Sequence, residues 1–80
     1  MAKSINIFPN PASTSITVSI DKSLINSNYQ LFDAQGRMVN EGMLTSTNTT
    51  LNTTALATGN YVISIGNDQG VVRQQIIIER

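Results

Sequence analysis

Apolar and polar residues alternate with a period of two along most of this chain. Ile16, Val18 and Ile20 are separated by Thr17 and Ser19, the pattern of a strand that buries one face. Tyr29 and Leu31 repeat it, with Phe32 set toward the opposite side. Arg37 to Leu44 carries Met38, Val39, Met43 and Leu44 and is interrupted by Gly42, which predicts a strand with a bulge. Thr49 to Thr53 has Leu51 as its single large apolar residue, Tyr61, Ile63 and Ile65 alternate with Val62 and Ser64, and Val71 to Ile78 reads as a long last strand. With a short first strand over Ile5 to Phe8, the pattern predicts seven strands. No segment shows a convincing period of 3.6, and Ala55-Leu56-Ala57 is the only candidate for a helical turn.

The punctuation between these segments agrees. Asp33-Ala34-Gln35-Gly36 and Asn67-Asp68-Gln69-Gly70 each join two strand candidates. A short carboxylate or amide can accept backbone donors in the turn, and a glycine can take the positive φ that closes it. Both Gly36 and Gly70 are therefore expected at positive φ. Leu56-Ala57-Thr58-Gly59 is a third sharp connection, leading straight into Tyr61. Short strands at intervals of about 8–12 residues, with turns between them, predict a small antiparallel β-sandwich or barrel.

Composition supports strands and narrows function. Of 80 residues, 24 are Ile, Val or Thr, the β-branched types that favour strands. Five basic and five acidic residues balance to zero net charge, so nothing electrostatic points to nucleic acid or an anionic membrane. Cys and His are both missing. That removes disulfides, zinc-thiolate sites, thiol nucleophiles and the usual proton shuttle. The acids Asp21, Asp33, Glu41, Asp68 and Glu79 lack the clustering of a calcium loop, and a serine nucleophile would have no base. The expectation is a non-enzyme with no catalytic, metal or cofactor-binding residues and no small-molecule substrate. Asn, Thr, Ser and Gln together number 31, a surface type common in extracellular β-modules. Thr45 to Thr54 reads as an exposed edge strand and its loop. Residues 1–4 read as a linker or an expression-derived start, and 5–80 as one domain.

Two ends remain. Phe8-Pro9-Asn10-Pro11-Ala12 places two prolines around an asparagine after a short apolar strand. Proline lacks a backbone donor, so this is an edge strand or a turn leaving one. Arg73-Gln74-Gln75 precedes the continuous run Ile76-Ile77-Ile78. That run reads either as a last strand buried on both faces or as an exposed strand that a receptor recognises by edge addition or in apolar pockets.

Four blocks in order resemble the C-terminal sorting domain of the bacterial type IX secretion system, found in the Bacteroidetes. They are Ile7-Phe8-Pro9-Asn10-Pro11-Ala12, then Tyr29 to Val39 with its Asp33-x-x-Gly36-Arg37 turn, then Leu56-x-x-Gly59-x-Tyr61, and finally Arg73 to Ile78. The likeness covers about Ile5 to Ile78. The chain departs from the family pattern at Ala57, where proline is usual, and at Gln74-Gln75, where a lysine pair is frequent.

The resemblance implies a seven-stranded immunoglobulin-like antiparallel β-sandwich that acts as an export address for covalently linked N-terminal cargo. The partners implied are the outer-membrane translocon, the shuttle and the sortase-like surface protease of that system. The domain would pass through the periplasm to the cell surface or beyond and then be removed from its cargo. The motif residues implied in recognition are Pro9, Asn10, Pro11, Asp33, Gly36, Arg37, Gly59, Tyr61, Arg73, Ile76, Ile77 and Ile78. The competing reading is an immunoglobulin-like adhesion or carbohydrate-binding module. Its weakness is the aromatic content, since only Phe8, Phe32, Tyr29 and Tyr61 are present, and Tyr61 and Phe32 read as core. Tyr61 is further a candidate corner tyrosine tied to upstream backbone.

Overall fold

A computed structural model describes residues 5–9, 14–67 and 70–79. Seven strands run in the order β1 (Ile5–Phe8), β2 (Ser15–Ile20), β3 (Ser27–Phe32), β4 (Met38–Leu44), β5 (Asn48–Asn52), β6 (Gly59–Asn67) and β7 (Gly70–Ile78). They form two antiparallel sheets, one ordered β1-β2-β5 and one ordered β4-β3-β6-β7. Each strand falls on a segment that the sequence marks as a strand, with some bounds shifted by a residue or two.

The alternation builds the core. Ile16, Val18 and Ile20 on β2, Tyr29 and Leu31 on β3, and Tyr61, Ile63 and Ile65 on β6 are all buried. They join Ile7, Leu24, Leu44, Leu51, Ile76 and Ile78 in one apolar cluster fed by both sheets. Edge positions suit their residues. β5, drawn from the Thr-rich stretch, is an edge strand whose inward Leu51 is 7% exposed. β1 is the other edge of the same sheet, and Pro9 follows its last residue with a cis Phe8–Pro9 peptide. A donor-free residue suits the exit from an edge strand.

Three expectations need correction. The bulge in β4 is not at Gly42, which pairs with Tyr29; it falls at Val39, because Leu31 faces Asn40 while Phe32 faces Met38. Gly42 instead lies under the Tyr29 ring, and a Cβ there would come within 2.8 Å of its Cε2. Phe32 is not core: it is only partly buried and alternates out of phase with the buried Tyr29 and Leu31. Ala55-Leu56-Ala57 forms no helix but part of a turn, closed by the Leu56 N–H donating to the Thr53 carbonyl at 3.0 Å.

One short element has no counterpart in the sequence reading. Lys22–Leu24 forms a 3-10 turn capped by Asp21, whose Oδ2 accepts the Ser23 N–H at 3.0 Å. It drops Leu24 into the core at 2% exposure. Asn26 follows at φ 73° and donates its N–H to the Leu44 carbonyl at 2.7 Å. Asn tolerates the left-handed region better than most residues.

Candidate recognition site at the turn cleft

The Asp33-x-x-Gly36-Arg37 block forms a five-residue connection between β3 and β4. Its backbone closes through the Asp33 N–H donating to the Arg37 carbonyl at 2.9 Å and the Gly36 N–H donating to the Asp33 carbonyl at 3.0 Å. Gly36 sits at φ 85°, in the left-handed region that favours glycine. The Asp33 carboxylate then fills the turn. Its Oδ1 accepts the N–H groups of Gln35 at 2.9 Å and Arg37 at 3.0 Å, and its Oδ2 accepts Arg37 Nε at 3.0 Å. The Asp33 side chain is 13% exposed, whereas Arg37 is 77% exposed. The aspartate is thus a staple of the turn, and its arginine is held in one direction at the surface.

These donors set the electrostatics. The Arg37 backbone N–H does most to hold the Asp33 carboxyl below its ordinary value of 3.8, helped by the Arg37 side chain and the Gln35 N–H, while desolvation opposes them. The folded chain therefore binds this proton less tightly than the unfolded one. The resulting stabilisation is complete above the unfolded value and is lost as pH falls through the lowered folded value. Asp33→Asn is expected to flatten the stability curve measured by urea unfolding below about pH 4. A slope identical to the unsubstituted protein's would refute this account of the turn.

The third block forms the facing wall. The Tyr61 hydroxyl donates to the Ala57 carbonyl at 2.6 Å, which ties the start of β6 to the loop before it in the manner of a tyrosine corner. The Tyr61 ring is buried at 6% exposure, and Gly59 turns into the strand at φ 149°. Together the two blocks enclose an open cleft of about 430 Å³, whose walls include Asp33, Arg37 and Val39 on one side and Leu56, Ala57 and Tyr61 on the other.

The fourth block lies directly behind. Register pairs Gly59 with Ile78, Asn60 with Ile77 and Tyr61 with Ile76. Ile76 and Ile78 are each 1% exposed and face the core, whereas Ile77 is 36% exposed. The run is therefore an edge strand buried on one face, and the reading as a strand buried on both faces is corrected. Arg73 is exposed beside Ser64 and does not line the cleft. Gly70 sits at φ 144°, as expected, paired with Asn67; the two residues between them lie outside the described ones. Pro9 is exposed at the end of β1 in the other sheet, and Asn10 and Pro11 lie outside the described residues.

Asp33, Arg37, Gly59 and Tyr61 thus share one cleft, with Gly36 shaping its rim and Ile76 to Ile78 supporting it from the neighbouring strand. Among the described residues no group of three His, Cys, Asp or Glu comes together to hold a metal ion. What the arrangement offers is a shaped surface: a guanidinium held by Asp33 in a cleft lined by both apolar residues (Val39, Leu56, Ala57) and polar ones (Gln35, Thr58, Asn60).

Comparison with curated proteins finds no match. The family model described as the secretion system C-terminal sorting domain matches residues 6–79, a span that takes in all four blocks. The chain belongs to the family of type IX secretion C-terminal sorting domains.

Proposed function

We propose that the folded domain, residues 5–80, is the address by which the type IX machinery moves a covalently linked N-terminal cargo from the periplasm across the outer membrane. A surface protease of sortase type then removes the domain. The observation that carries this reading is convergence. Two blocks about twenty residues apart in sequence, the Asp33 to Val39 turn and the Leu56 to Tyr61 turn, meet in a cleft that only folding creates. Ile76 to Ile78 of the last block pair with Gly59 to Tyr61 beside it. A translocon or shuttle that reads this surface inspects a folded module rather than a linear tag.

The finer architecture we infer is an immunoglobulin-like sandwich. In its favour are seven antiparallel strands in two sheets around one core, with a corner tyrosine entering the sixth strand. The fourth strand pairs with the third, whereas in constant-type immunoglobulin domains it joins the opposite sheet.

The test is a reporter fused to the domain in a bacterium with a working type IX system. Arg37→Gln, Gln75→Glu and an alanine replacement of Pro9-Asn10-Pro11 are compared with the unsubstituted domain, each with its melting curve checked. Extracellular reporter is expected to fall several-fold for variants that still melt normally. Equal export by all of them, or by the reporter without the domain, rejects the reading and leaves an adhesion module in its place.

A further inference from the structure

Six large apolar side chains are exposed among the described residues, and four of them, Met38, Met43, Val71 and Ile77, stand on the outer face of the four-stranded sheet. Register arranges that face in rows. Met38, Phe32, Val62 and Gln75 lie side by side in one row, and Glu41, Gln30, Ser64 and Arg73 in the next. Met43, Asn28, Gly66 and Val71 form the third, where Val71 leans so close to Gly66 that a Cβ there would meet its methyl at 2.9 Å. Glu41 and Arg73 are both exposed and hold opposite ends of the middle row. Three strand spacings separate them, about 14 Å, too far for them to pair within one chain.

We propose that this face binds a second copy of the chain, about a two-fold axis that lies in the interface and runs along the strands. That rotation exchanges β4 with β7 and β3 with β6 while keeping every row at its own height. Glu41 then meets Arg73 of the second copy, and Arg73 meets its Glu41. Phe32 lies over Val62, Met43 over Val71, and Gln30 over Ser64. Met38 over Gln75 is a mixed pair and Asn28 lies over Gly66; the other facing positions match apolar with apolar or polar with polar, and both charges are answered. Such an interface is isologous, the same patch used by both copies, and two twisted sheets stack in this way with their strands roughly aligned.

The pattern also selects this axis over its rival. A two-fold axis across the strands would set Glu41 against Glu41 and Arg73 against Arg73, and would place Phe32 over Asn28. Like charges facing each other oppose association. The charge pair thus fixes orientation, and the exposed Met and Val side chains supply the area that leaves water. This goes beyond the export reading and does not depend on it.

Sedimentation equilibrium of the purified chain over a dilution series tests the proposal. The unsubstituted chain is expected to dimerise reversibly and to dissociate further as salt rises, because partly exposed ion pairs are screened. Glu41→Lys alone and Arg73→Glu alone each create two like-charge contacts per dimer and are expected to raise the dissociation constant by at least about tenfold. Glu41→Lys combined with Arg73→Glu reverses both partners at once and should restore it to within about threefold. These side chains are exposed, so melting temperatures should change little. A chain that stays monomeric up to about 1 mM, a dimer indifferent to the single reversals, or no recovery in the double variant would each overturn the proposal. The first of these outcomes would leave the face to a different occupant.

Discussion

Within Ile76-Ile77-Ile78, alanine at either outer position is expected to cost about 2–5 kcal/mol and alanine at the middle one about 1 kcal/mol or less. Ile76 and Ile78 are each 1% exposed and belong to the core cluster, while Ile77 is 36% exposed on the other side of the same strand. Removing a buried branched side chain forfeits its transfer energy and leaves a cavity that rigid neighbours fill only in part. An 80-residue domain has about 4–12 kcal/mol of stability in total, so Ile76→Ala or Ile78→Ala removes a large share of it. Each kcal/mol shifts the melting temperature of a domain this size by about 4–8 °C. Thermal unfolding of the three single variants checks this, and three equal losses would show that the strand is buried on both faces after all.

That contrast marks what the sequence holds. Alternation places β2, β3 and β6, because one face of each must be buried and a period of two records which; the other strands are marked by apolar content and by the turns that bound them. A continuous apolar run carries no such record. Ile76 to Ile78 has the same chemistry at three positions, and only pairing with Gly59 to Tyr61 decides which of them face inward. Phe32 fails for the related reason that an aromatic residue reads as core by type, although its phase relative to Tyr29 and Leu31 already puts it outside.

The turns were legible through chemistry rather than pattern. A carboxylate two residues before a backbone donor and a glycine three residues on specify the Asp33 to Arg37 loop, and Gly36 and Gly70 both take positive φ. The cleft was not legible. Its walls come from residues about twenty positions apart, and their meeting depends on β3 and β6 being neighbours in the second sheet. Nor was the opposition of Glu41 and Arg73, which exists only once four strands are in register.

Gly42 shows how a correct signal can be given the wrong cause. A glycine inside a strand marks either a bulge or a close approach, and here it is the approach. An added Cβ would lie 2.8 Å from both Cε2 and Oη of Tyr29 and 3.0 Å from Cζ, and the Tyr29 side chain is held in the core at 8% exposure. The ring covers the glycine across the pair, a known means of stabilising glycine in sheets. Gly42→Val is therefore expected to cost about 1–3 kcal/mol by overpacking, even though valine is ordinarily a better strand former than glycine. Tyr29→Val removes the ring at its own cost. In that background the same Gly42→Val change should become neutral or stabilising, because only the strand preference remains. Urea unfolding of the two single variants and the double variant gives the coupling directly. Additive losses, with Gly42→Val equally costly whether or not the ring is present, would return the glycine to a backbone role.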